Sequence, residues 1–436
     1  EQEGTPTNET IHEYRLPVIS RFDEVKEKKL HVIKVKDGAN FKQQAARLIL
    51  DKPDQGFLRY LLKSKTVIDC RSKIQTIDST YSFKIESMLE PRTLPADILP
   101  LLDVQRIFDE LQAYKSERRY FNISIVKDKL LDILRKDDWY GLLIPQNHLE
   151  INSIAKLEAA TDYAVMALKS YMDKFFKYEK ERWEVPRLEY AILDADNSNF
   201  VDEYTLTYAQ QSAMDPKGDE LDAFVAEMSA VLQANNGLDV YKKNFFRGKL
   251  VLFDFRSHLY APLICLEKSN LKIQLAPVAL NTDEMRFVDY LKSYVDDHAA
   301  ELAGKSLYLL RNKSKVGMGF FEAGNFYPDY ILWIDTPATQ YISFIDPKGL
   351  MHIRPDDPKI EFHKTIKDLE TRLSPTADGK RIVLNSFIMA GTRSSDLRMW
   401  WSTPEVDADR AYREARNVYT LDNDECVESM MRKILQ

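Results

Sequence analysis

Apolar and polar residues form their clearest pattern in the last third of the chain. The segments YILWI (330–334) and YISFI (341–345) are apolar runs of strand length, and a polar turn separates them. Two such runs around a turn predict an antiparallel hairpin. If the turn centres on its Pro-Ala step, Asp329 faces Asp346 across the hairpin.

The spacing of apolar residues also predicts the elements around this hairpin. Helices are expected at about 282–302, 357–371, 405–415 and 424–435, and strands at 306–311, 318–321 and 381–387. Together with the hairpin they predict a C-terminal domain over residues 276–436, in which helices flank a mixed sheet of four strands.

The preceding residues read as a helix-rich α/β region. An α/β lead-in over 1–95 ends in a proline-rich stretch, and a helix-rich linking or DNA-contact domain over 96–275 follows it. Residues 151–184 contain neither Gly nor Pro and predict one long helix, and 41–50 predict a short one. We expect a mixed α+β fold class for the whole chain.

The hairpin brings together residues with a chemical use. Directly opposite residues have Cβ atoms about 4.5–5.5 Å apart, which would place Asp329 beside Asp346. Lys348 lies two residues beyond Asp346 and projects from the same face if the strand continues. Paired carboxylates suit Mg²⁺, which activates phosphodiesters for hydrolysis, and a neighbouring lysine can orient the attacking water.

Other polar residues are candidates with less support. Glu284 lies in the first turn of the 282–302 helix and could complete the site, with Asp283 and Asp289 as alternatives. The remaining candidates are scattered over the same region: Glu322, most simply a surface turn residue, and His363, Lys364, Asn385 and Ser386.

Two basic segments could contact DNA. YKKNFFRGK (241–249) interleaves basic and aromatic residues, a pattern that can grip phosphates or stack on bases. It equally fits a strand with a solvated basic face. RNKSK (311–315) could steer the DNA backbone toward the metal. A second Asp-Pro-Lys tripeptide, at 215–217, has no strand before it and is interpreted as a turn.

The region resembles the PD-(D/E)XK nuclease superfamily, with Pro328-Asp329 as the PD and Asp346-Pro347-Lys348 as the DXK motif. More specifically, it is similar to the C-terminal end of type III restriction subunits and related DEAD/DEAH-type helicase–nucleases. Four segments carry this similarity: HLYAPLI (258–264), LAPVALNTDEMRFVDYL (275–291), GFFEAGNFYPDYILWI (319–334) and FIDPKGL (344–350).

The resemblance implies a Mg²⁺-dependent endonuclease that acts on double-stranded DNA. Asp329, Asp346 and Glu284 would bind the metal, and Lys348 would be the catalytic lysine. In this family an ATP-driven motor precedes the nuclease, and a methyltransferase subunit accompanies it. Neither a GxxxxGK[ST] motif nor a DEAD box occurs in this sequence, so ATP would matter only for a motor outside it.

The composition of the chain supports an alternative to the nuclease hypothesis. The formal net charge is -7 and the pI about 5.7, whereas DNA-binding domains are usually basic. An adaptor that couples a motor or methyltransferase to DNA is therefore the alternative, and RNA or branched DNA are alternative substrates. Three widely spaced cysteines and no long apolar run predict a cytoplasmic protein without a membrane partner.

Overall fold

The structure is a computed structural model that describes most of the chain. The described residues are 10–63, 66–69, 91–135, 137–144, 146–210, 218–234, 240–245, 248–267, 273–313, 326–351, 353–376 and 378–436. The chain divides into two compact units, residues 1–34 with 189–436, and residues 35–188.

Helices and strands alternate irregularly along the described residues. The helices are α1 (Phe22–Val25), α2 (Phe41–Gln44), α3 (Gln55–Lys63), α4 (Val104–Glu117), α5 (Leu130–Arg135), α6 (Ile154–Glu184), α7 (Gly218–Gln233), α8 (Thr282–Asp297), α9 (Pro358–Arg372), α10 (Ser394–Trp401), α11 (Arg410–Glu414) and α12 (Glu425–Leu435). The strands are β1 (Thr10–Pro17), β2 (Ile19–Ser20), β3 (His31–Val35), β4 (Leu48–Leu50), β5 (Thr66–Asp69), β6 (Ile123–Ile125), β7 (Tyr140–Leu143), β8 (Leu188–Ile192), β9 (Glu203–Gln210), β10 (Val240–Phe245), β11 (Gly248–Phe253), β12 (Tyr260–Ala261), β13 (Leu263–Glu267), β14 (Ile273–Ala276), β15 (Ser306–Arg311), β16 (Tyr330–Asp335), β17 (Thr339–Lys348), β18 (Arg381–Ala390) and β19 (Val418–Thr420). The fold is mixed α+β, as the sequence predicted.

The largest sheet of the first unit has the order β15-β16-β17-β18-β19. Strand β16 is antiparallel to both of its neighbours, β15 and β17, whereas β17, β18 and β19 run parallel. The carboxyl ends of β17 and β18 therefore meet at one edge. The predicted hairpin register is confirmed, because Tyr330 pairs with Ile345. The sheet has five described strands rather than four, since the short β19 was not predicted; the predicted strand at 318–321 lies outside the described residues.

Helices cover this sheet because its central strands are largely buried. All six residues of β16 are buried. Helix α8 packs against β17, α9 packs against β18, and α12 packs against α8, β18 and β19. Asp357 caps the amino end of α9 by accepting from the Lys359 N–H, and Pro358 occupies the first helical position, where no backbone donor is needed. Helix α8 ends at Asp297, five residues before the predicted end.

Smaller sheets complete the first unit: β1-β9-β14, β10-β11-β13, β2-β12 and β3-β8. Strand β1 is antiparallel to β9 over its full length. Residues from the predicted ranges 1–95 and 96–275 therefore share a sheet. The two compact units do not follow the predicted division at 95 and 275, which stays a prediction.

The second unit packs around the long helix α6, which runs unbroken as its sequence predicted. Two parallel strand pairs, β4 with β6 and β5 with β7, lie in this unit. The predicted helix over 41–50 is wrong in its second half: α2 ends at Gln44, and residues 48–50 form β4. Hydrogen bonding to β6, which is distant in sequence, competes with the local helical preference and prevails.

No helix among the described residues has both the length and the apolar character needed to cross a membrane.

Candidate active site

Two aspartates meet where the central hairpin opens. Asp329 immediately precedes β16 and Asp346 lies near the end of β17, one pairing step beyond Tyr330 and Ile345. Burial, followed by the charges of Asp346 and Glu284, raises the pKa of Asp329 to about 9. A hydrogen bond between the two carboxyl groups also favours the protonated form of Asp329.

Lys348 supplies positive charge to this pair. Its ammonium group forms an ion pair with Asp346, which is itself buried. The Lys348 Nζ also lies 5.1 Å from the centre of the Phe326 ring, within the range of a cation–π contact. The strand continues through Lys348, as the predicted placement required, and the DXK motif therefore brings a lysine against the acid pair.

Glu284 approaches the same corner from α8. Its side chain accepts from the Asn281 N–H, while the Asn281 side chain accepts from the Glu284 N–H at 2.9 Å, which forms a capping box. Glu284 Oε2 also accepts from Arg311 at 3.1 Å. Burial is the main cause that raises the pKa of Glu284, and the Asp346 charge adds to it. Helix capping and Arg311 thus fix this carboxylate beside the aspartates.

His258 holds the strand that carries Arg311. The His258 Nε2 accepts from the Arg311 backbone N–H at 3.0 Å, so the proton lies on Nδ1, which donates to the Tyr260 carbonyl at 2.7 Å. Burial lowers the pKa of His258 to about 3. The neutral imidazole therefore connects the HLYAPLI segment to the strand that positions Glu284.

Replacing His258 by phenylalanine should destabilise the protein by about 2 kcal/mol, because the buried Arg311 N–H loses its acceptor. The substitution should also weaken the pH dependence of the unfolding free energy between about pH 6.5 and pH 3. A lowered histidine pKa contributes stability above the unfolded value of 6.5, and that stability is lost as the pH falls toward 3. Urea unfolding at pH 7.5 and 5 measures both effects.

The partly exposed His298, at the carboxyl end of α8, provides the control. His298→Phe should leave the unfolding free energy within about 0.5 kcal/mol of the unmodified protein. If His258→Phe and His298→Phe lose the same unfolding free energy, the His258 hydrogen bonds make no specific contribution to stability.

The described cations of the basic segment at 311–315 contact backbone carbonyls of neighbouring segments. The Arg311 guanidinium also donates to the Val278 carbonyl, and the Lys313 Nζ donates to the Phe200 carbonyl at 2.8 Å. Arg311 is the last residue of β15, and Lys313 follows it after one residue. Steering of the DNA backbone by this segment stays a prediction; residues 314 and 315 lie outside the described residues.

Two buried asparagines hold the PD segment, and sequence reasoning did not identify them. The Asn312 side chain donates to the Pro328 carbonyl at 2.8 Å, and its backbone N–H donates to the Asp329 carbonyl at 2.7 Å. The Asn199 side chain in turn donates to the Asn312 side chain at 3.0 Å. Asn199 lies 113 residues before Asn312, so no local pattern could reveal this contact.

The weaker candidates do not join the acid pair. His363 contacts its own helix, where Nδ1 donates to the Ile360 carbonyl at 2.7 Å, and Lys364 pairs with Glu361 at 2.6 Å. Asn385 and Ser386 lie in the middle of β18, because this strand continues to Ala390 rather than ending near 387.

The remaining sequence predictions have different outcomes. The alternative acid Asp283 rests against Gly391, where an added Cβ would collide with its carboxylate, and Asp289 is exposed. Glu322 and the tripeptide at 215–217 lie outside the described residues. Residues 241–245 and 248–249 belong to the β10–β11 hairpin, and DNA contact by 241–249 stays a prediction.

The carboxylates fit a Mg²⁺ ion that relies on two protein ligands. Asp329 and Asp346 supply hard oxygen donors, and Mg²⁺ is commonly bound by one or two carboxylates together with waters and phosphate oxygens. Among the described residues, however, no group of three or more His, Cys, Asp or Glu side chains is arranged to hold a metal ion. Because Arg311 and the helix cap engage Glu284, its role as a metal ligand stays a prediction.

Crowding of the acids should make the metal-free fold less stable at high pH. The pKa of Asp329 is raised to about 9 from 3.8. A raised carboxyl pKa gives stability at low pH that is lost progressively as the pH rises through this interval. Asp329→Asn should therefore stabilise the metal-free protein at pH 8 in EDTA. Its unfolding temperature should rise by about 2–4 °C for each kcal/mol of unfolding free energy gained.

The same substitution should have a smaller effect at pH 5, because this pH lies closer to the unfolded pKa of 3.8 and keeping the Asp329 carboxyl protonated costs less free energy there. Calorimetry at both pH values tests this difference. At each pH, the unfolding temperature of Asp329→Asn is compared with that of the unmodified protein. A smaller gain at pH 8 than at pH 5 would contradict the raised pKa of Asp329.

The comparisons with known proteins add no family assignment. No protein-family model matches the chain, and neither a curated protein nor a solved structure matches it. The similarity to type III restriction subunits therefore stays a prediction that rests on the sequence motifs.

Proposed function

We propose that the chain is a Mg²⁺-dependent DNA endonuclease. The observation that supports this most directly is the convergence of Asp329, Asp346 and Lys348 where the hairpin opens. Two carboxylates beside an ammonium group are a suitable combination for phosphodiester hydrolysis, which requires stabilisation of developing negative charge.

Each residue of the proposed site has a separate task. Asp329 and Asp346 would hold the Mg²⁺, which when bound neutralises charge on the scissile phosphate. Release of the Asp329 proton accompanies this binding, because a cation favours the charged carboxylates. Lys348 would then be free to turn from Asp346 toward the attacking water or the phosphate. Glu284, fixed by Arg311, would support the site from α8.

The proposal extends to the fold family and its associated machinery. A mixed sheet flanked by helices, with the acids at the end of a central hairpin, is in keeping with a PD-(D/E)XK nuclease domain. In a type III restriction-like assembly, the substrate would be double-stranded DNA. A helicase motor upstream on the same polypeptide would supply ATP-driven movement, and a methyltransferase subunit would be the partner.

One set of contacts favours the non-catalytic alternative. Lys348 and Arg311 already neutralise Asp346 and Glu284, and the net charge of -7 does not favour DNA binding. Under this alternative the cluster is structural, and the chain is an adaptor between DNA and a motor or methyltransferase.

Conversion of supercoiled plasmid to nicked or linear DNA tests the proposal. Purified protein should cleave a covalently closed circle with Mg²⁺, and EDTA should abolish the reaction. A closed circle offers no ends, so cleavage establishes endonuclease action. Absence of cleavage by the folded chain, with a motor and methyltransferase supplied, would refute the nuclease proposal in favour of the adaptor.

A further inference from the structure

An open pocket lies beside the proposed catalytic strand. Its volume is about 530 Å³, and it begins where β17 and β18 end. The two strand ends are joined there: the Gly391 N–H donates to the Lys348 carbonyl at 3.0 Å, and the Leu350 N–H donates to the Thr392 hydroxyl at 2.7 Å. The pocket wall is therefore continuous with the segment that carries Lys348.

The pocket presents an aromatic and apolar surface. Trp400 and Met351 both line it, and they are 41% and 61% exposed. The next residue, Trp401, is buried and donates to the Ile353 carbonyl at 2.8 Å. This contact fixes the end of α10 against the loop that follows β17. Trp400 is thereby held at the pocket surface, although burial in the core would be the usual place for a tryptophan.

The charges around this surface indicate what it could bind. Asp283 and Asp396 line the pocket together with one exposed arginine, Arg393. A phosphate track would need predominantly basic residues, so this lining does not suit the DNA backbone. Carboxylates instead accept hydrogen bonds from the amino groups of bases, and an indole face stacks on any base.

We infer that this pocket binds an unpaired nucleobase next to the scissile phosphate. The base would stack on Trp400 and Met351, with an amino edge at Asp283 or Asp396, and Arg393 would contact the adjoining phosphate. The inference rests on the proposed nuclease function and adds a preferred substrate, duplex DNA with an unpaired nucleotide at the cleavage position. Within a regular duplex no base face is free to stack on a side chain.

Position along the chain gives a second argument for this substrate. Asp283 immediately precedes Glu284 on α8, and Gly349 in the pocket wall immediately follows Lys348. Asp283 also packs closely on Gly391, so the carboxylate is held at the end of β18. A nucleotide seated in the pocket would thus contact residues that immediately adjoin Glu284 and Lys348 in the chain.

Binding without cleavage provides the first test. Fluorescence anisotropy in EDTA should be measured with three labelled DNAs of one sequence: a full duplex, a duplex with one unpaired cytosine, and the same duplex with an abasic residue at that position. The unmodified protein should bind the unpaired cytosine about 10-fold more tightly than either of the others. Trp400→Ala should abolish this preference, and Trp400→Phe should retain most of it.

Met399→Ala is the matched control, because Met399 is 69% exposed on the same helix and is not among the pocket residues. It should keep the preference. Equal affinity of the unmodified protein for the three DNAs, or the same preference in Trp400→Ala, would overturn the inference. Tighter binding of the RNA form of the unpaired substrate would overturn its assignment to DNA.

Cleavage of the same DNAs with Mg²⁺ separates this inference from the proposed function. A protein that shows the Trp400-dependent preference but never cleaves would retain the pocket assignment and lose the nuclease proposal. A protein that cleaves all three DNAs at equal rates, with Trp400→Ala unchanged, would retain the nuclease proposal and lose the pocket assignment.

Discussion

Asp346→Ala is expected to lower Mg²⁺-dependent DNA cleavage at least about 1000-fold, a loss of about 4 kcal/mol of transition-state stabilisation. Asp346 hydrogen bonds to Asp329 and pairs with Lys348, so its removal eliminates a metal ligand and releases the lysine. Asp329→Ala should have an equally large effect, since two protein carboxylates leave no substitute ligand. Plasmid cleavage at saturating Mg²⁺ is the measurement.

The chain offers a matched control at the opposite end of the same hairpin. Asp335 is also a buried aspartate paired with a lysine, Lys380, and it also accepts from Gln340 at 2.9 Å. Asp335→Ala disturbs a similar ion pair without touching the proposed site, so cleavage should persist in the folded variant. Full cleavage by folded Asp346→Ala would exclude the site assignment, whatever the control shows.

Lys348→Gln is expected to cleave about 100-fold more slowly while it still binds Mg²⁺ and DNA. A rate loss of this size lies in the range that acid–base groups supply. Glutamine keeps much of the side-chain length and some hydrogen bonding, but it cannot stabilise negative charge at the phosphate. Single-turnover rates, with Mg²⁺ titration and thermal unfolding of the same sample, separate chemistry from binding.

A structural lysine would give a different combination of results. If Lys348 only neutralises Asp346, then Mg²⁺ affinity, thermal stability and cleavage should change together. Lys380→Gln removes the equivalent charge from Asp335 and calibrates the loss of stability that follows from breaking such a pair. Near-normal single-turnover cleavage by Lys348→Gln would eliminate the catalytic role.

The positive charge at the candidate site has a physical explanation. Buried carboxylates that lie together repel one another, and each unneutralised charge is costly in a protein interior. In this protein Lys348 and Arg311 form ion pairs with Asp346 and Glu284, and the raised pKa of Asp329 favours its uncharged form. A bound Mg²⁺ would compensate the same charge, so the metal-free and metal-bound states would differ mainly in which cation or proton neutralises the aspartates.

Local sequence determined the hairpin and hence the contact between the two aspartates. Strand-length apolar runs on either side of a short turn fix the register, because slipping by one residue would move every side chain to the other face. The prediction therefore placed Asp329 opposite Asp346, and the pairing of Tyr330 with Ile345 agrees. The unbroken α6 followed from its sequence for a similar reason, since no Gly or Pro interrupts it.

Only the tertiary structure decided how distant segments support that pair. Arg311 looked like a surface cation but is turned inward to Glu284, and His258 and Asn312 hold the strands around it. Whether a basic side chain meets solvent or a buried acid depends on segments far away in the chain. The same holds for residues 48–50, which leave a predicted helix to pair with β6. Short-range patterns set the strand register, whereas the satisfaction of buried polar groups was settled by long-range packing.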